Sequence, residues 1–74
     1  MNDFSYDVVD NVAVLSNSGK WFLELNLISW GDHSPKLDLR KWTESHEKMS
    51  KGITLTDAEA RALRDALDDY FRGV

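Results

Sequence analysis

The chain has 74 residues, no cysteine and a formal net charge of −4 at pH 7, which allows one small domain, 1–74, and excludes disulfide staples and thiolate metal sites. A hydrophobic share of 42 % with 11 % aromatic residues excludes a disordered chain. No apolar run approaches the ~20 residues of a membrane span, and Met1-Asn2-Asp3-Phe4 lacks the basic start and apolar core of a signal peptide, so the expected compartment is the cytoplasm.

The first element is a strand over about 4–16, rich in β-branched and aromatic residues (Tyr6, Val8, Val9, Val12, Val14); Asp10-Asn11 is a place for a bend or bulge. Asn17-Ser18-Gly19-Lys20 is a turn by composition. A second strand runs over 21–30. Trp21, Leu23, Leu25 and Leu27 fall on one parity, and Phe22, Glu24, Asn26, Ile28 and Trp30 on the other. Gly31 to Pro35 is a loop. Residues 36–42 alternate cleanly, with Leu37 and Leu39 facing one way and Lys36, Asp38, Arg40 and Trp42 the other. A polar loop follows, then a short strand over 52–55. The last element is a helix over about 57–72. Thr56-Asp57-Ala58-Glu59 forms a capping box, and Leu63, Ala66, Leu67, Tyr70 and Phe71 recur at helical spacing as an apolar stripe. The expected fold class is α+β, a four-stranded antiparallel curved sheet followed by one C-terminal helix. One helix covers only part of a sheet face, so a homodimer is expected, with Leu63, Leu67, Tyr70 and Phe71 as its interface or as core.

The acidic total is unevenly spread. Residues 1–19 carry Asp3, Asp7 and Asp10 and no base. Residues 53–74 carry five acids against three arginines. The middle, 20–52, is slightly positive and holds Lys20, Lys36, Arg40, Lys41, Lys48 and Lys51 together with all three tryptophans, Trp21, Trp30 and Trp42. Aromatic rings beside bases suit single-stranded nucleic acid, where bases stack while phosphates are neutralised. A tryptophan in a small β domain also serves as core, and bases nearly matched by acids also make an ordinary solvated face; composition leaves both readings open.

Other chemistry finds little support. His33 and His46 are thirteen residues apart in predicted loops with no third nitrogen or sulfur ligand, so they read as surface histidines and no metal is expected. Gly19-Lys20 lacks the earlier glycine of a phosphate loop. The six serines from Ser16 to Ser50 have no nucleophile-elbow context. Neither an enzyme, a cofactor nor a small-molecule substrate is expected.

Lys36-Leu37-Asp38-Leu39-Arg40-Lys41-Trp42, then Lys51-Gly52-Ile53-Thr54-Leu55-Thr56 and an acid-capped helix, resembles the C-terminal domain of transcriptional positive cofactor four, a family of single-stranded-DNA-binding coactivators. Glu24-Leu25-Asn26, Ser29-Trp30, Pro35-Lys36 and His46-Glu47-Lys48-Met49 are similar to the bacterial YdbC-type branch of that family. The likeness spans about residues 8–70. It implies the same β-β-β-β-α fold, a homodimer, and single-stranded DNA on the sheet and its loops. It implies that Arg40 contacts phosphate or base, that Lys51 and Lys48 are basic contacts, that Lys20 and Trp21 serve at the first hairpin, and that Trp30 and Lys36 flank the second loop. Trp42 matches a nearby aromatic, with loop spacing one residue different. Leu23 and Leu27 stand where that branch often has bases, which lowers the expected affinity. Asp38, on the Arg40 face, is placed to orient that guanidinium by a cross-strand or an i,i+2 ion pair, and a purely structural salt bridge fits the residues equally well.

The sequence therefore points to a dimeric, sequence-tolerant single-stranded DNA (or RNA) binding module serving transcription or DNA maintenance. Its site is Lys20, Trp21, Trp30, Lys36, Arg40, Trp42, Lys48 and Lys51. The rival is a protein-interaction module that docks through Trp21, Leu23, Leu25 and Leu27.

Overall fold

The computed structural model describes residues 5–73. Four strands, β1 (Tyr6–Ser18), β2 (Trp21–Trp30), β3 (Lys36–Thr43) and β4 (Ile53–Leu55), precede one helix, α1 (Asp57–Arg72). The strands form a single antiparallel sheet in the order β1-β2-β3-β4. This is the α+β arrangement that the sequence implies.

The first strand runs to Ser18, two residues beyond the expected end, because the turn tightens to Gly19-Lys20; its expected start at Phe4 lies outside the described residues. Gly19 takes φ 63°, as the first position of a two-residue hairpin loop favours. The Asn17 side-chain amide donates to the carbonyls of Gly19 and Trp21 at 3.0 and 3.1 Å, which pins the turn. β4 begins at Ile53 rather than Gly52. A Cβ at position 52 would strike Cβ of Arg40 and the carbonyl oxygen of Leu39, so glycine is what lets this segment lie against β3.

β1 pairs with β2 through three register shifts, between Val8 and Asp10, Asn11 and Ala13, and Val14 and Ser16. The extra residues are Val9, Val12 and Leu15, spaced by three and exposed at 54 %, 47 % and 55 %. Each bulge bends its strand and adds twist, so the expected bend at Asp10-Asn11 is one of a series.

The curl decides which face is inside. Across β2 and β3, Phe22 lies opposite Trp42, Glu24 opposite Arg40, and Asn26 opposite Asp38. On this face Ile28, Trp42, Asn26 and Asp38 are fully buried and Glu24 is nearly so. Tyr6 and Asn11 from β1 reach onto it, as do His46 and Met49 from the loop after β3. The other face carries Leu23, Leu25 and Leu27 from β2, with Leu37 and Leu39 from β3 and Ile53 and Leu55 from β4. The leucines there remain half-buried and Ile53 is exposed. Polar groups thus occupy the better-covered side of the sheet, the reverse of the usual order in a half-buried antiparallel sheet.

α1 starts at the expected capping box. The Thr56 hydroxyl accepts from the Glu59 amide at 3.1 Å, and the Glu59 carboxylate accepts from the Thr56 amide at 2.8 Å. Hydrogen bonding of the Glu59 carboxylate by Thr56, through its backbone amide first and then its hydroxyl, holds the carboxyl below its ordinary 4.5. The helix contacts only β3 and β4 among the described elements, and none of its residues is buried. An open groove of about 810 Å³ separates its apolar stripe from Leu25, Leu37 and Leu55. Leu63, Leu67, Tyr70 and Phe71, expected as interface or core, are exposed and so form no core within one chain.

Candidate nucleic-acid interface

The buried face is organised around two carboxylates. Asp38 on β3 accepts from Arg40 Nε at 2.6 Å with one oxygen and from Arg40 Nη2 at 2.8 Å with the other. Of the pairings open to Asp38, the i,i+2 one forms, and it is bidentate, in the geometry that a guanidinium fork favours. The Thr54 hydroxyl of β4 donates to Asp38 Oδ2 at 3.0 Å. Arg40 Nη1 reaches the Ser50 carbonyl at 3.4 Å and the Met49 sulfur at 3.6 Å. The guanidinium carbon sits 4.8 Å from the centroid of the Trp30 ring, within cation–π range.

The second carboxylate is Glu24. Its Oε1 accepts from Asn11 at 3.1 Å and from Asn26 at 3.0 Å, and the Asn26 oxygen accepts from Asn11 at 2.7 Å. Its Oε2 lies 3.1 Å from His46 Nε2. His46 holds φ 64°, a left-handed conformation uncommon outside glycine. Its amide donates to the Thr43 carbonyl at 2.9 Å, and its ring lies 4.8 Å from that of Trp42. This corrects the reading of His46 as a surface histidine: it is half-buried and latches the loop after β3 onto β2. His33 is exposed, as a surface histidine should be.

Trp42 needs a correction as well. It is fully buried, with Tyr6 at 5.7 Å and His46 at 4.8 Å, and offers no ring face to a base. Its parity with Asp38 and Arg40 put it on the face that the bulged β1 and the His46 loop close over. Trp30 is only partly buried and has the Tyr6 ring 5.3 Å away. Trp21, also half-buried, shares its parity with the leucines and not with Trp30. Lys20, Lys36, Lys48 and Lys51 are exposed. Lys36 pairs with Ile28 on the face of Trp30. Lys51 directly follows Ser50, whose carbonyl takes Arg40. Lys48 accepts from the Thr43 amide at 3.0 Å through its carbonyl, leaving its side chain in solvent. Lys20 and Trp21 sit at the opposite end of β2 from Trp30. The candidate residues thus follow the length of β2 and β3 and do not converge on one pocket.

Sequence reading gave Tyr6, Asn11, Met49 and Thr54 no place on this face, and put Glu24 and Asn26 on the parity of Trp30 without a role there. The available signal was the mixed parity of β2, where Glu24 and Asn26 share a face with Ile28 and Trp30. Among the described residues no three His, Asp or Glu side chains form a metal-binding group, and no helix is long and apolar enough to cross a membrane.

A curled four-stranded antiparallel sheet with one trailing helix, bearing one guanidinium-flanked tryptophan at the end of β2 and exposed lysines at the strand ends and loops, defines a β4α module. The chain belongs to the transcriptional coactivator p15 (PC4) family, whose model matches residues 18–66. That family is a non-enzymatic, nucleic-acid-binding one. The matched segment takes in every candidate lysine and tryptophan together with the first part of α1. A protein of Treponema pallidum (strain Nichols), itself described only as uncharacterized, is 50 % identical over 68 residues, covering 90 % of this chain and 80 % of that relative.

Proposed function

We propose that this protein binds single-stranded DNA with little sequence preference, as a cytoplasmic homodimer of the YdbC-type branch, in transcription regulation or DNA maintenance. The observation that carries the reading is Trp30, a partly exposed indole held beside a guanidinium at the end of a strand flanked by exposed Lys36. A planar ring of this kind stacks any base, for about 1–3 kcal/mol each, and duplex DNA does not present base faces to it. Lys36, Lys48 and Lys51 supply charge for the phosphates, with Lys20 at the far hairpin. β2, with 10 residues, gives a track with a contour of about 30 Å at ~3.3 Å per residue. The half-exposed leucine face and the uncovered stripe of α1 support the dimer, because a second copy supplies the apolar cover that one helix does not.

Titration of the protein with oligo-dT at low salt tests the reading. Tryptophan emission is expected to be quenched and to recover on adding salt, with log K falling by about 0.7 per phosphate neutralised for each tenfold rise in salt. Unchanged emission together with no mobility shift of the oligonucleotide would refute DNA binding. In that case the leucine face and helix stripe favour the second reading, a protein-docking module.

A further inference from the structure

Arg40 is the residue whose expected role fits its surroundings least well. A phosphate contact requires a guanidinium open to solvent, yet this side chain is only 14 % exposed. All three of its nitrogens are engaged, two by the fully buried Asp38 and one by Ser50 and Met49. Asp38 is itself held from β4 by Thr54, and glycine at 52 keeps the neighbouring backbone pressed against Arg40.

We propose that Arg40 is a positioning residue: paired with Asp38, it fixes the Trp30 ring as the base platform and leaves phosphate neutralisation to the exposed lysines. This rests on the single-stranded-DNA reading above. The magnitudes favour it. One phosphate contact on a single strand strengthens binding by about 5-fold at 0.1 M salt, from a slope of ~0.7. Withdrawing the arginine from a buried carboxylate costs about 100-fold or more in equilibrium constant, so the ion pair holds against a phosphate. The pair is neutral as a unit and adds little field at the surface. What remains for the guanidinium to act on is the ring 4.8 Å from it. Tyr6 packs against the same ring at 5.3 Å with its plane tilted by 44°, which helps to hold the ring in one orientation.

The test takes Trp21→Phe as its reference chain, so that Trp30 reports against the buried Trp42, and compares it with the same chain carrying Arg40→Lys, Arg40→Gln or the neutral double variant Asp38→Asn/Arg40→Gln. Lysine keeps the charge and the partner for Asp38, but not the flat fork against the ring. The double variant keeps the fold accessible by removing both buried charges together. Affinity for oligo-dT across a salt series and the near-ultraviolet circular dichroism of the free proteins are measured. All three variants are expected to bind at least about 10-fold more weakly than the Trp21→Phe reference, with its salt slope unchanged, whereas Lys51→Ala in the same background lowers the slope by about 0.7. The Trp30 dichroism band is expected to collapse in all three. Binding by Arg40→Lys close to that of the reference, or a slope reduced by about 0.7 in the double variant, would overturn the proposal. If the native chain binds no DNA, the function reading fails by itself. The dichroism still decides the role of Arg40: a band retained in every variant overturns it, and a band lost in every variant supports it.

Discussion

Leu67→Asp separates a self-sufficient chain from one that needs a second copy. In the single chain Leu67 is 48 % exposed on α1, and Leu63, Tyr70 and Phe71 beside it are 41 %, 63 % and 63 % exposed. Surface substitutions away from special features change stability by no more than about 0.5 kcal/mol, so a monomeric protein should tolerate this one. A partner lying on the stripe changes the expectation. Full burial of a leucine is worth roughly 1.5–3 kcal/mol, and about half of Leu67 remains to be covered, so each copy loses about 1 kcal/mol. Two copies lose about 2 kcal/mol, or about 30-fold in the dimer dissociation constant at ~1.4 kcal/mol per tenfold. The desolvation of a new carboxylate adds to that loss. Sedimentation equilibrium over a dilution series reads the constant directly, and the native melting temperature should rise with concentration. A native chain that sediments as a monomer throughout, or a variant whose dimer constant matches the native one, would refute the reasoning.

Three further outcomes are expected. Gly52→Ala drives a methyl group into Arg40 and the Leu39 carbonyl and should cost about 1–3 kcal/mol or more; an unchanged urea midpoint would count against the close approach of this segment to β3. His46→Ala removes one partner of the buried Glu24 carboxylate and should destabilise by about 1–3 kcal/mol. It should also speed hydrogen exchange at the amides of Thr43 and Ser50, which bond to the Lys48 and Lys41 carbonyls; exchange at native rates would show that His46 does not hold the loop. The Glu59 carboxyl titrates below its ordinary 4.5 because Thr56 bonds to it, so its contribution is complete above that pH and is lost as the pH falls through the lowered folded value. Helix ellipticity should therefore weaken on acidification below 4.5 in the native chain more than in Glu59→Gln, and identical acid profiles would contradict the cap.

Local signals carried the fold. The capping box at Thr56 and Glu59, the alternation of Lys36 to Trp42 and the Gly19 turn each depend on neighbours a few residues away, and such patterns are legible in a sequence. The inside of the sheet was less so. Glu24 and Asn26 alternate with leucines as solvent-facing residues do, yet they are buried because β1 bulges over them and His46, 22 residues on from Glu24, closes from the other side. Long-range cover of this kind leaves no periodicity. The same closure took Trp42 out of reach and left Trp30 at the margin, a distinction that strand parity alone does not make. The Asp38–Arg40 pair was visible in the sequence because both partners lie on one strand two residues apart.

The three spare residues of β1 bear on how the molecule keeps company with its own kind. β1 forms one outer rim of the sheet, where an unpaired row of amides and carbonyls invites strand addition and open-ended stacking. Val9, Val12 and Leu15 break that row at every third position, and Asp7 and Asp10 add negative charge along it. An ordinary strand cannot stay in step with a rim that inserts a residue three times. Growth by strand addition is discouraged on this side, which leaves the proposed dimer the leucine face, where a twofold arrangement would close on itself and go no further.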